Sequence, residues 1–423
     1  MSYLLSFRHT HLHPAPSCSS HHFTFLPSNN SLSLYISIYI YIYVSGLRTA
    51  VELLRRNITV ALRSPVSPLH PSVCSVGAGG LWMPFHCDDP RTDKWALETL
   101  NELWLLGKDK SKSLVEIMTA IKLHRSNAEI VSETTDTKST YPDAAKLPRW
   151  TFDPRLEFQQ LTVEMLSWQN TAKKLRIPNE EQLIQAGYMH SWMFETPVVD
   201  SPRMLSALLE EVELHPDSDI NVETGEYYDS IEHMQDVARS LDCEVLINCS
   251  GMGSQKVCQD SQLVGGRGVL LQLERENCPR RASIQGMEKD AIILAECPPW
   301  GSDSHPCYLI PRGDVIAIGG TYLEGDGHPE LRASEREQLK QNAKLLGVDI
   351  ETATIRGEWT GFRPARPVTR CEEEITSGSG GSNPVRVIHN YGQYVQPVSW
   401  AHLPLSLQQV HNIPVPYSHR LLV

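Results

Sequence analysis

No C-x-x-C pair occurs anywhere in the chain, and no cysteine and histidine set has zinc-finger spacing. Sequence-local zinc modules and thioredoxin-type redox pairs are thereby excluded. The ten cysteines are scattered, so free thiols in a reducing compartment are expected rather than a disulfide framework. Basic residues are in deficit, 38 Lys and Arg against 50 Asp and Glu, for a net charge of -12. Such a surface is not built for phosphate backbones, which argues against a nucleic-acid partner. No apolar run approaches the roughly 20 residues of a membrane span. No small-residue cleavage site follows a clean apolar stretch, as it would in a secretory leader. Neither a Ser/His/Asp nor a Cys/His arrangement stands out, and no internal repeat is visible.

What the chain does have is an ordinary globular composition, 41% hydrophobic and 21% charged over 423 residues, with room for two domains. The first 45 residues do not read as part of either. They are rich in Ser, His and Pro, then alternate Tyr and Ile from Tyr35 to Tyr43. A translated TA repeat gives that alternation. A β-strand is the rival reading, because β-branched and aromatic residues suit one. His9, His11 and His13 are read as chance in so irregular a segment.

From Gly46 onward the pattern is regular. Leu47 to Arg56 has helical spacing, and Ile58 to Leu62 reads as a buried strand. Helical stretches are expected around Lys94 to Leu106, Ser113 to Leu123, Pro202 to Glu213 and Ser334 to Leu346, the last with Glu335, Arg336 and Lys340 facing solvent. Polar residues from Ser132 to Ala145 suggest a loop. Cys243 to Cys249 is an apolar run closed by Ser250-Gly251, the mark of a buried parallel strand entering a turn. Short strands follow at Val269 to Leu273, Ala291 to Ala295, Tyr308 to Pro311, Val315 to Thr321 and Val385 to Gly392, with a flexible segment from Ser377 to Asn383.

Seven segments taken together resemble the D-amino-acid oxidase family of flavoproteins. They are Gly77-Ala78-Gly79-Gly80-Leu81-Trp82-Met83-Pro84, Ile247-Asn248-Cys249-Ser250-Gly251, Gly266-Arg267-Gly268, Cys307-Tyr308-Leu309-Ile310-Pro311-Arg312, Ile318-Gly319-Gly320-Thr321, Gly361-Phe362-Arg363-Pro364-Ala365-Arg366-Pro367 and Ile388-His389-Asn390-Tyr391-Gly392. They occur in the family's order and spacing. The resemblance implies an α/β fold, with a Rossmann-like FAD-binding domain interleaved with an antiparallel-sheet substrate domain. The FAD-binding parts are expected at about 46–110, 200–270 and 355–392, the substrate parts at about 111–199 and 271–354, and an atypical tail at 393–423.

The cofactor implied is FAD, which needs backbone N–H groups at a helix N-terminus and glycines that let the pyrophosphate approach. In the family's G-x-G-x-x-G the third glycine corresponds to Gly46, while the first two positions hold Tyr41 and Tyr43. Further cofactor-binding residues implied are Ala78, Gly79, Gly80 and Leu81, where small residues permit contact between backbone and flavin, together with Gly251 and Gly392. After Gly392 the family's glycine-rich run is replaced by Gln393 to Trp400.

For the substrate, the resemblance implies that Arg363 grips an α-carboxylate through two parallel hydrogen bonds, with Tyr308 as a second carboxylate donor. The place of a further family tyrosine holds Ser304. Arg366 and Arg370 are expected to be structural or rim residues, and Arg312 and His305 solvated loop charges, with attraction of an acidic substrate side chain as the rival role. No residue is expected to act as a catalytic acid or base. Hydride would leave Cα for the flavin, and positioning would supply most of the rate. The function implied is oxidative deamination of D-amino acids to 2-oxo acids, with ammonia and hydrogen peroxide. The partners implied are a D-amino acid and dioxygen, with no nucleic acid and no membrane, and a homodimer is a further expectation. The alternatives are a family member that does not bind FAD and a D-aspartate oxidase. Peroxisome or cytoplasm is the expected location, although the chain ends Leu421-Leu422-Val423 rather than in a Ser-Lys-Leu signal.

Overall fold

The structure is a computed structural model of the 423-residue chain, and it describes residues 35–39, 44–84, 91–109, 111–125, 147–280, 286–295, 306–374 and 385–392. Two sheets organise it. The first has six strands in the order β14-β15-β7-β1-β2-β6. Along the chain these are β1 (Tyr35–Tyr39), β2 (Thr59–Ser64), β6 (Ser218–Val222), β7 (Cys243–Asn248), β14 (Arg370–Glu374) and β15 (Arg386–Tyr391). All neighbours run parallel except the edge pair β14 and β15. Parallel strands need crossovers and cover on both faces. Helices α1 (Val44–Leu54) and α6 (Ser201–Glu213) share a core with one face, and α7 (Ile231–Ser240) covers the other.

The second sheet has nine strands. Eight follow the order β12-β8-β11-β10-β9-β3-β5-β4, and β13 pairs with β8. They are β3 (Val115–His124), β4 (Gln159–Thr162), β5 (His190–Val199), β8 (Val264–Glu274), β9 (Ile292–Ala295), β10 (Cys307–Arg312), β11 (Val315–Gly319), β12 (Leu323–Glu324) and β13 (Ile355–Ala365). Pairing is antiparallel apart from β3 with β9. Side chains alternate across a strand, so each face has its own residues. Leu271, Leu273, Leu309, Ile316 and Ile318 turn to the far face and pack on Leu339 and Ala343 of α9 (Ala333–Leu345). Ile292, Leu294, Ile310 and Ala317 turn to the near face and join the core built on α1, α3 (Thr92–Lys108) and α6. The near face therefore looks toward the first sheet.

Two sequence expectations are corrected. Tyr35–Tyr39, expected outside the domain, pairs with both β2 and β7 as an inner strand of the first sheet. Its β-branched and aromatic composition is what such a strand needs. Ser113 to Leu123, expected helical, is β3. Its apolar spacing mimics a helix because the strand is buried on both faces, which erases the period-2 signal. Strand β8 runs across residue 270, and β13 pairs with it along its length within the second sheet. The helical expectations at 94–106, 202–213 and 334–346 lie on α3, α6 and α9. The 132–145 and 377–383 segments and the 393–423 tail lie outside the described residues.

Candidate functional site

On the near face of the second sheet, glycines clear a shallow floor. In register across the strands, Trp359 faces Leu270, Gly361 faces Gly268 and Arg363 faces Gly266. Leu270 faces Gly319, which faces Tyr308. Directly opposed residues project to the same side of a sheet. These side chains lie flat over the glycines. A Cβ at Gly268 would overlap the Arg363 guanidinium, one at Gly319 the Tyr308 ring, one at Gly266 the Tyr322 ring, and one at Gly361 the Trp359 indole. Arg363 and Tyr308, four strands' width of sequence apart, are thus brought together.

Arg363 is half-buried and donates through Nη1 to the Thr321 carbonyl at 3.2 Å. The Tyr308 hydroxyl is within hydrogen-bonding reach of the same guanidinium. Burial pushes the Tyr308 phenol above its ordinary range, against the lowering pull of Arg363. The ring therefore stays a neutral donor. Cys74, on the short helix α2 (Cys74–Gly77), completes the cluster. Burial lifts its thiol to about 11 despite the nearby Arg363. One cation beside two neutral donors is a donor set complementary in charge to a single carboxylate.

The Gly77–Trp82 segment roofs this floor. Gly77 packs against Trp359, whose Nε1 donates to the Pro71 carbonyl at 3.2 Å. At Gly79 a Cβ would lie 2.8 Å from Ile310 Cδ1. Gly80 adopts φ +77 with its carbonyl accepting from Val199 N at 2.9 Å, and Leu81 bridges to Val198. A side chain at Gly80 would meet the Val199 backbone as well as a disfavoured φ. Trp82 is 1% exposed and donates from Nε1 to the Ala96 carbonyl at 3.0 Å, so it is a core residue.

Arg312 departs from expectation. Rather than a solvated charge, it is 4% exposed and donates through Nη1 to the carbonyls of Val76, at 3.1 Å, and of Ala78. Burial lowers its pKa, opposed by the Asp200 carboxylate. Glu335, expected to face solvent, is also buried, and its Oε2 accepts from Nη2 of fully buried Arg267 at 3.0 Å. Arg267 further donates to the His328 and Glu330 carbonyls, both at 2.6 Å, which holds the segment after Tyr322 in place.

At the C-terminal ends of the first sheet's strands, α1 begins with Val44, Ser45 and Gly46 all buried. Val44 N–H is met by Ser75 Oγ at 3.3 Å. A small cavity of about 20 Å³ opens here, lined by Val44, Ser75, Gly80, Leu81, Trp82, Leu103, Val199, Ser201, Met204 and Leu205. None of these carries a negative charge. A helix N-terminus, a hydroxyl and an apolar wall form the donor set that an anionic dinucleotide needs. These residues fit FAD. Beside them Gly251, at φ +52, follows β7, where Asn248 Oδ1 accepts from Ser250 N at 3.0 Å. Gly392, at φ +82, ends β15 against the Arg366 stem. Arg366 is structural, as expected. Its Nε and the Tyr391 hydroxyl both donate to Asp260 Oδ2 at 3.0 Å, and Arg370 Nη1 donates to Tyr391 at 2.8 Å.

Tyr41, Tyr43, Ser304 and His305 lie outside the described residues. Seven described cysteines are free thiols, and no metal-holding cluster exists among the described residues. No described helix is long and apolar enough to cross a membrane. The sequence reading missed Cys74, Ser75, Trp359 and Tyr322. Only the Trp359-x-Gly361-x-Arg363 alternation carried a signal, that of three positions on one strand face.

The family profile DAO, described as FAD dependent oxidoreductase, matches residues 44–403. The chain is 22% identical over 363 residues to a D-amino-acid oxidase of Dictyostelium discoideum, covering 82% of each. It is 26% identical over 226 residues to a D-amino-acid oxidase of Rubrobacter xylanophilus, covering 53% of this chain and 60% of that one. Among solved structures, glycine oxidase from Geobacillus kaustophilus superposes with a TM-score of 0.61 at 17% identity, covering 89% of this chain and 93% of that one. The profile spans most of the chain, and the chain belongs to the DAO family of FAD-dependent oxidoreductases.

Proposed function

We propose that the protein is an oxidase of D-amino acids, converting them to 2-oxo acids with release of ammonia and hydrogen peroxide. The observation that carries this reading is the meeting of Arg363 and Tyr308 over a glycine-cleared floor beneath the Gly77–Leu81 loop. Arg363 offers the α-carboxylate a planar pair of N–H donors, already oriented by the Thr321 carbonyl. Tyr308, kept neutral by burial, adds an O–H donor. A carboxylate held at two points fixes Cα between floor and roof, and orientation of this kind lowers the barrier without an acid or base.

FAD, when bound, supplies the two-electron acceptor and passes the electrons to dioxygen. Gly46, Ala78, Gly79, Gly80, Leu81, Gly251 and Gly392 are the residues we assign to holding it. The imino acid left by loss of two electrons and two protons adds water, releasing ammonia and the 2-oxo acid.

Purified protein should be yellow, and it should form peroxide from D-alanine or D-aspartate but not from the L-enantiomers. Turnover of glycine alone would move the substrate away from chiral D-amino acids. Colourless, folded protein that takes up no added FAD would defeat the reading.

A further inference from the structure

We propose that Arg312 is a positioning residue for the redox step, turning the Ala78–Gly79 peptide so that the Gly79 N–H is presented to the bound cofactor. This rests on the reading that FAD lies against the Gly77–Leu81 loop.

The geometry begins with strand alternation. Tyr308, Ile310 and Arg312 occupy successive near-face positions on β10. The strand that carries the substrate tyrosine therefore ends in a guanidinium beneath the roof loop. Arg312 donates to two carbonyls of that loop, Val76 and Ala78, and Ser201 Oγ reaches the Ala78 carbonyl at 3.5 Å. In a trans peptide the C=O and the next N–H point in opposite directions. Drawing the Ala78 carbonyl toward β10 turns the Gly79 N–H away from it. Among the described residues, neither the Ala78 nor the Gly79 N–H has a backbone acceptor. The loop is fixed on its other side by Gly80 and Leu81 against β5, so the peptide cannot relax by sliding. Ile310 beneath Gly79 leaves no room for it to sink.

The placement of the cation is costly, which argues against an incidental role. Arg312 is 4% exposed, and its Nε has no partner among the described residues. The Asp200 carboxylate, packed against Gly313, provides the counter-charge. Arginine suits the task because its planar fork reaches two carbonyls at once, whereas an ammonium is a point charge.

A donor held against the reactive end of a flavin stabilises the negative charge that develops there. The experiment uses full-length protein loaded with FAD, comparing wild type with R312Q and R312K. Sulfite affinity is read from bleaching of the flavin absorbance, and the melting temperature of the FAD-free protein is read alongside. R312Q should weaken sulfite binding about tenfold, the scale of one charge-assisted hydrogen bond. R312K should fall between the two, at about threefold or more, and the loss should exceed anything the melting shift accounts for. If R312Q does not fold, R312K alone decides. Flavin-loaded R312Q, or R312K where R312Q does not fold, with a sulfite affinity within about twofold of wild type overturns the inference and leaves the proposed function standing. A wild-type protein that holds no flavin overturns both.

Discussion

Arg363 shows how little the identity of a residue says without its surroundings. An isolated arginine is most often a solvated surface charge. Here the chain removes the side chain beneath it, at Gly268, and the guanidinium settles onto backbone beside Tyr308. Arg363→Ala should therefore lower kcat/KM for a D-amino acid by about 100-fold, chiefly through KM, because the lost contact is to the carboxylate. Peroxide initial rates over a range of substrate concentrations measure it, and Arg363→Lys should recover part of the loss. Tyr308 gives a second test. Its phenol is raised above the ordinary value of 10, so the proton that donates to a carboxylate is retained as pH passes through 10. Binding of a simple carboxylate without an amine, such as benzoate, should stay level to pH 10 and weaken only above it. A fall centred below 10 that vanishes in Tyr308→Phe would contradict this.

Among the secondary-structure elements, β8 is the one to probe. Its near face carries Gly266 and Gly268, which admit Tyr322 and Arg363, while its far face carries Arg267, paired with Glu335. The two faces make opposite predictions. Gly268→Ala displaces only the flexible end of Arg363, so KM should rise several-fold with little change in melting temperature. Glu335→Ala leaves a fully buried guanidinium with only the more distant Asp326 carboxylate at 3.9 Å, which should cost about 3 kcal/mol in a urea titration. Equal stability losses in the two variants would mean that the faces are not independent.

For the whole molecule, acid sensitivity follows from the carboxylates that hold sheets and loops together. At Glu335 burial would raise the pKa, but the bonds from Arg267 and Arg332 outweigh it and lower it from 4.5. Glu374 is lowered from the same ordinary value, its burial outweighed by His389 and Arg370. Asp260 is lowered from 3.8, its burial outweighed by Gln262, Tyr391 and Arg366. A depressed folded pKa contributes stability that is complete above the unfolded value and lost as pH falls through the folded one. Melting temperature should accordingly be level above about pH 6.5, decline gently below it as buried His389 and half-buried His190, both lowered from 6.5 by burial, resist protonation, and fall more steeply below about pH 4.5. A melting temperature unchanged between about pH 5 and pH 3 would contradict the carboxylate part of this account.

The division between what the chain spells out and what folding decides follows the range of the interactions. Helices α3, α6 and α9, the strand β7 entering Ser250-Gly251, and the resemblance carried by Gly361 to Pro367 were all legible, because their signals lie within a few residues. The two carboxylate-binding candidates could be named but not joined, since Tyr308 and Arg363 meet only through the register of β10, β11, β8 and β13. Ser113 to Leu123 was misread because burial on both faces removes the alternation that marks a strand. Tyr35–Tyr39 carried strand composition, but only its pairing with β2 and β7 made it an inner strand. Arg312 and Glu335 were misjudged for one reason. A charge looks solvated in sequence, and only tertiary packing decides whether a carbonyl pair or an opposite charge waits in the interior to receive it.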